Sequence, residues 1–155
     1  MSNLYVSGAL TGIENPLEVK AFYEAIGSLA QEIGFKVYIP HLNTDPLSNP
    51  EISPDQVFET DKNQVSRSDV VIAYLGCPSF GVGMELAYAE MNDIPLILLY
   101  ERGKNISRFP RGIPTVISEI QFITREDALA QLKIILEHWS VSYQGQPPLS
   151  QIPPS

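Results

Sequence analysis

Cysteine is almost absent from this chain. Cys77 stands alone in 155 residues, so no internal disulfide can form, which suits a reducing cytoplasm as the expected compartment. Histidine is nearly as scarce. His41 and His138 have no second ligand at metal spacing and Cys77 has no CxxC partner, so no metal site is expected. Long apolar runs are missing as well. The longest, from Ile94 to Tyr100, falls far short of the roughly 20 residues a membrane span requires. The N-terminus shows no basic segment followed by an apolar one, so no secretory leader is expected. Positive charge is short too: 10 Lys and Arg face 18 Asp and Glu, a net charge of −8. That excludes a surface for duplex nucleic acid, which needs clustered cations. A small anionic ligand needs only local donors and stays open.

What remains is an ordinary globular composition, 44% hydrophobic with mean hydropathy of −0.01. The length fits one domain, taken as residues 1–143. Residues 144–155, with Pro147, Pro148, Pro153 and Pro154, read as a disordered tail.

The order of elements is an alternation of strands and helices. Leu4 to Ser7 is a short strand broken at Gly8. Leu17, Ala21, Phe22, Ala25, Ile26, Leu29 and Ile33 recur at three and four, predicting a helix from Pro16 that Gly34 ends. Lys36 to Ile39 is a second strand, and His41 to Pro54 a loop. Ser53 and Pro54 open a second helix that runs to about Arg67. Val70 to Leu75 is apolar throughout, the mark of a strand covered on both faces. A third helix over Gly81 to Asn92 and a buried strand over Pro95 to Tyr100 follow. Ile120 to Ile123 is a candidate fifth strand, and Thr124 caps a last helix. The pattern predicts an α/β flavodoxin-like (Rossmann-like) three-layer sandwich, its five-stranded parallel sheet ordered 2-1-3-4-5.

Sheets of this kind bind ligands beyond the carboxyl ends of their strands, where the strand order switches. The loops meeting there are Ser7-Gly8-Ala9-Leu10-Thr11-Gly12 and Gly76 to Gly83, both rich in small residues. The dinucleotide pattern fails, because the third glycine of GxGxxG, counted from Gly81 and Gly83, would fall on Leu86. No GxxxxGK[ST] is present either. Glu85, two residues after Gly83, is placed in the first turn of the third helix, where the helix dipole would keep it ionised. An ionised carboxylate there can attack an anomeric carbon, or it can simply stabilise the helix. Asp61, one turn from Val57 and Val65, suits either a cleft or a solvated face. Asp69 reads best as a cap for backbone amides. Tyr5 is either plain core or a hydroxyl reaching the site. Arg102, Lys104, Arg108 and Arg111 make half a phosphate clamp or a solvated loop. A Cys77 nucleophile is disfavoured by Pro78 and by the lack of a nearby His.

Four blocks then stand out: Tyr5-Val6-Ser7-Gly8, Asp61, Ser68-Asp69-Val70-Val71-Ile72-Ala73, and Pro78-Ser79-Phe80-Gly81-Val82-Gly83-Met84-Glu85-Leu86. Together they resemble the nucleoside 2-deoxyribosyltransferase superfamily, and within it the 2'-deoxynucleoside 5'-phosphate N-hydrolases, over roughly Leu4 to Gly112. The resemblance implies an enzyme with no metal or organic cofactor, acting on a nucleoside or nucleotide as a homodimer or larger assembly. Glu85 would attack C1', Asp61 would assist the leaving base or bind the sugar, and Tyr5 would orient Glu85. Ser7 and Gly8 would line the site, and Ser79 with amides near Gly81 and Gly83 would hold a 5'-phosphate. Ser107 would reach the phosphate in the partner's site. The hydrolases carry an Arg after the first strand where this chain has Thr11, and the Pro-rich end is unlike the transferases'. Base exchange and a non-catalytic nucleotide sensor are the alternatives to hydrolysis. A CheY-like domain would need an acidic cluster at the strand ends, where Gly and Ser stand instead.

Overall fold

The computed structural model describes residues 1–142, so the tail expected over 144–155 lies outside the described residues. The chain runs β1 (Asn3–Ser7), α1 (Pro16–Ile33), β2 (Lys36–Tyr38), α2 (Pro54–Ser66), β3 (Val70–Tyr74), α3 (Phe80–Met91), β4 (Leu96–Glu101), α4 (Arg108–Arg111), β5 (Val116–Phe122) and α5 (Arg125–Ser142). The five strands form one parallel sheet in the order β2-β1-β3-β4-β5, as the flavodoxin-like reading requires.

Side-chain alternation along each strand divides the core into two layers. Leu4, Val6, Ile72, Ile97, Leu99 and Phe122 face α1 and α5, where Phe22, Ile26, Leu132 and Trp139 pack on them. Tyr5, Val71, Ala73, Leu96 and Leu98 face α2 and α3, meeting Val65, Val82, Leu86 and Ala89. On β1, two-residue periodicity therefore sends Tyr5 and Ser7 to the α2/α3 side, and both are fully buried.

Several boundaries differ from the sequence reading, and four of the differences have a clear local reason. The second strand stops at Tyr38 because Pro40–Leu42 coils into a 3-10 turn. The last strand begins at Val116, four residues earlier than expected, because it pairs with Leu96 to Glu101 despite the polar Ser118 and Glu119. It lies at the sheet edge, where burial is incomplete and the apolar signal is weak. The expected loop after β4 contains the short α4. Finally, α3 starts at Phe80 rather than Gly81, because Ser79 is its N-cap and its Oγ accepts from the Val82 amide at 3.2 Å. At the last helix, Thr124 caps as expected, its Oγ1 accepting from the Asp127 amide at 3.1 Å.

Gly8, where β1 ends, is glycine for a packing reason. A Cβ there would lie 2.2 Å from Cζ of Tyr23, whose ring is buried and whose hydroxyl donates to the Ala9 carbonyl at 3.0 Å. Neither the ring nor the strand can retreat. Gly8→Ala is expected to destabilise the fold by about 1–3 kcal/mol, the usual cost of overpacking, read as a lower midpoint in urea with an unchanged slope.

Candidate active site

The switch in strand order falls between β1 and β3, and a cleft of about 550 Å³ opens beside it. One end is built by Gly8, Leu10, Thr11, Ser79 and Gly81, at the close of β1 and the start of α3. Glu85 and Asp61 lie between α3 and α2, and Val57, Phe58, Lys62, Met84 and Tyr88 continue the walls. The segment after the 3-10 turn supplies the rest: Thr44, Pro46, Asn49, Pro50 and Ile52, with Pro54 at the head of α2.

Glu85 is held from the sheet. Ser7 Oγ donates to its Oε2 at 2.5 Å, joining the end of β1 to α3 across 78 residues of chain. Tyr5, two residues earlier on the same face, carries its hydroxyl close enough to favour the Glu85 carboxylate, though no hydrogen bond of ordinary geometry forms. Burial, with Glu85 and Asp61 nearby, raises the Tyr5 phenol far above its ordinary value, so it stays protonated.

The sequence reading placed Glu85 in the first turn, ionised by the helix dipole. The structure corrects this. With α3 starting at Phe80, Glu85 belongs to the second turn, beyond the reach of the terminal amides. Its environment acts the other way. Burial pushes the carboxyl up to about 8; the Ser7 bond and the Tyr5 hydroxyl oppose the rise, and the charge of Asp61 adds to it. The residue is desolvated by its neighbours yet open to the cleft.

Asp61 faces the cleft from α2 rather than lying on a solvated face. Tyr38 Oη donates to its Oδ1 at 3.4 Å, and Thr44 Oγ1 lies 3.2 Å from the same oxygen. The single Thr44 hydroxyl proton is shared between Asp61 and the Pro40 carbonyl, also at 3.2 Å. Burial raises the Asp61 pKa, partly offset by Thr44 and Tyr38. Tyr38 in turn stacks on Tyr5, centroids 5.5 Å apart and planes at 21°, so the two carboxylates share one aromatic floor.

Of the residues named from sequence, Gly8, Asp61, Ser79, Gly81 and Glu85 line the cleft, with Ser7 and Tyr5 directly beneath. Gly83 does not: its amide bonds the Ser79 carbonyl at 3.2 Å inside the helix. Ser107 is exposed on the loop after β4 and also lies outside the cleft of its own chain. Asp69 caps the Asn3 amide at 2.7 Å. Arg111 pairs with Glu119 and Lys104 with Glu101, so two of the four loop cations serve neighbouring carboxylates. No group of His, Cys, Asp and Glu among the described residues could hold a metal. No described helix is long and apolar enough to cross a membrane.

Tyr38 and Thr44 escaped the sequence reading. Tyr38 ends a three-residue strand, and Thr44 sits in a stretch whose Asn, Pro and Ser content says only that it is a loop. That loop is tied down. Lys20 on α1 makes a largely buried ion pair with Asp45, whose other oxygen accepts the Leu47 amide at 3.0 Å.

Known proteins resemble this chain in sequence or in fold. A Thermofilum pendens protein provisionally named 2'-deoxynucleoside 5'-phosphate N-hydrolase 1 is 32% identical over 114 residues, 71% of this chain and 77% of its own. The 5-hydroxymethyl-dUMP N-hydrolase of Rattus norvegicus is 28% identical over 159 residues, 99% of this chain and 93% of its own. A 2-deoxyribosyltransferase from Bacillus psychrosaccharolyticus has the same fold, with a TM-score of 0.63, 16% identity, and coverage of 85% of this chain and 90% of that one. No family model matches. The chain belongs to the family of the 2'-deoxynucleoside 5'-phosphate N-hydrolases, and it shares its fold with a 2-deoxyribosyltransferase. It is an enzyme of the N-glycoside hydrolase or deoxyribosyltransferase kind.

A carboxyl raised by burial weakens the fold once it ionises. Between its unfolded pKa near 4.3 and its folded value of about 8, the unfolded chain releases a proton that the folded chain keeps, so this group's contribution falls as pH rises. Glu85→Gln removes that penalty. Thermal unfolding is expected to show the variant more stable than wild type at pH 8–9, by on the order of 1–3 kcal/mol, with the difference shrinking toward pH 5.

Proposed function

We propose that this enzyme hydrolyses the N-glycosidic bond of nucleoside 5'-monophosphates, 2'-deoxy ones above all, through a covalent glycosyl-Glu85 intermediate. The observation that carries the reading is Glu85 itself: a carboxylate fixed by Ser7 on the floor of the cleft, with donors at one end and apolar walls at the other. The names of the relatives, hydrolases of deoxynucleotides, support the substrate class.

A nucleotide would lie with its phosphate toward the start of α3. The amides of Phe80 and Gly81 are the first two of the helix and have no intrahelical acceptor, and the helix end favours an anion. The Ser79 hydroxyl accepts from Val82 and keeps its own proton to donate. Glu85 then attacks C1' as its bond to the base nitrogen breaks, and that electron pair leaves with the base. Asp61, facing the cleft from α2, assists the departing base or binds the sugar. Water next attacks C1' of the glycosyl ester, frees the sugar phosphate and restores Glu85.

The test is base release from a panel of nucleosides and monophosphates, with and without an acceptor base. Turnover of deoxynucleoside monophosphates without acceptor is expected, and Glu85→Gln should lower it at least about a thousandfold. Because attack needs the ionised carboxylate, kcat/KM should climb about tenfold per pH unit below about pH 8 and level above it. Turnover only with an acceptor would move the enzyme to the transferases. No turnover beside tight nucleotide binding would make it a sensor.

The assembly proposed is a homodimer built on α3. Phe80 (97% exposed), Met84, Ala87 and Met91 (72% exposed) follow one another at helical spacing on its outer face, and Phe109, near Ser107, is 93% exposed. Light scattering should give twice the chain mass for wild type. The Phe80→Glu/Met91→Glu variant should be monomeric; an unchanged mass would overturn the assembly.

A further inference from the structure

The cleft carries one cation among its described lining residues, Lys62, and it stands at the end away from α3's first turn. Lys62 follows Asp61 on α2. Its ammonium sits 5.3 Å from the centroid of the Phe58 ring and 5.2 Å from that of Tyr88, rings that themselves meet at 6.2 Å. Two cation–π contacts hold the charge without neutralising it. No carboxylate lies within ion-pair distance of it among the described residues, although Asp61 is its chain neighbour.

Position along α3 decides what Lys62 can meet. Ser79 and Gly81 stand before Glu85, and Tyr88 lies about one turn beyond it. With C1' over Glu85 and the phosphate at the helix start, the base projects toward Tyr88, Phe58 and Lys62. The remaining walls there are Pro46, Asn49, Pro50 and Ile52; of these Asn49 can read a hydrogen-bonding edge, but its neutral amide can turn to face either a carbonyl or an amino group, whereas an ammonium only donates.

We infer that Lys62 selects the base: its ammonium meets carbonyl oxygens on the base edge and holds the negative charge they gain as the base departs. The inference rests on the N-glycosidase reading above. When the C1'–N bond breaks, its electron pair stays on the ring nitrogen and spreads onto ring carbonyls, so an ammonium at that edge stabilises the departing uracil, thymine or hypoxanthine. Cytosine and adenine put an amino group there instead, a donor facing a donor. Binding as well as leaving then favours the oxo bases.

The experiment compares kcat/KM for dUMP against dCMP, and dIMP against dAMP, in wild type, Lys62→Met and Lys62→Arg. Wild type is expected to favour the oxo member of each pair at least about tenfold. Lys62→Met should collapse that ratio toward unity, and Lys62→Arg should keep most of it, which a purely structural role for the side chain would not produce. Lys62 lies on the surface, so these variants should fold, and unchanged melting would confirm it. A wild-type preference for the amino bases, or ratios indifferent to Lys62→Met while turnover persists, would overturn this inference and leave the N-glycosidase reading standing. Absence of turnover with all four nucleotides would overturn both.

Discussion

The site depends on the burial of one carboxylate against the end of a parallel sheet. Glu85 is taken out of water by the same packing that builds the α2/α3 core layer, and Ser7 on β1 gives it its fixed hydrogen bond. A carboxylate in water is well solvated and a poor nucleophile. One held by a single hydroxyl beside apolar walls keeps its reactivity once ionised. The cost is a carboxyl pushed up to about 8, so the group is mostly protonated at pH 7.

Everything else in the cleft follows from where the sheet places that bond. Because β1 and β3 are neighbours, the turn after β1 and the start of α3 come together, and Tyr5 and Ser7 project under α3 from alternate positions of one strand. β2, paired on the far side of β1, ends at Tyr38, which stacks on Tyr5 and reaches Asp61. The two carboxylates are thus connected through two stacked rings and not through direct contact. The loop after β2 completes the enclosure, tied to α1 by Lys20 and Asp45.

Much of this was legible in the sequence. Strand order followed from apolar runs set between amphipathic stretches, and the site from small residues at two strand ends. Type and position singled out Glu85 and Asp61 without deciding between a site role and a structural one, the resemblance supplied the proposed roles, and the ionised state expected of Glu85 is not the one its burial favours. Glu85 is the sixth residue of α3, and even counted from the expected start at Gly81 it is the fifth, past the first turn and out of the dipole's reach. Burial of a side chain on a helix that is apolar nearly all round cannot be read from periodicity, because every face gives the same signal. Tyr38 and Thr44 were missed for another reason: their roles come from contacts 17 and 23 residues away, which no local pattern records.

The loop wall of the cleft has a consequence for timing. Pro46, Pro50 and Pro54 fix three backbone angles in a short segment, and Asp45 pins it from behind. Such a wall stands ready before anything arrives. A ligand entering it forfeits little chain entropy to order the protein, and no closing motion has to precede contact. Capture should then proceed at the pace of encounter, and residence should be set by the contacts inside the cleft rather than by a gate.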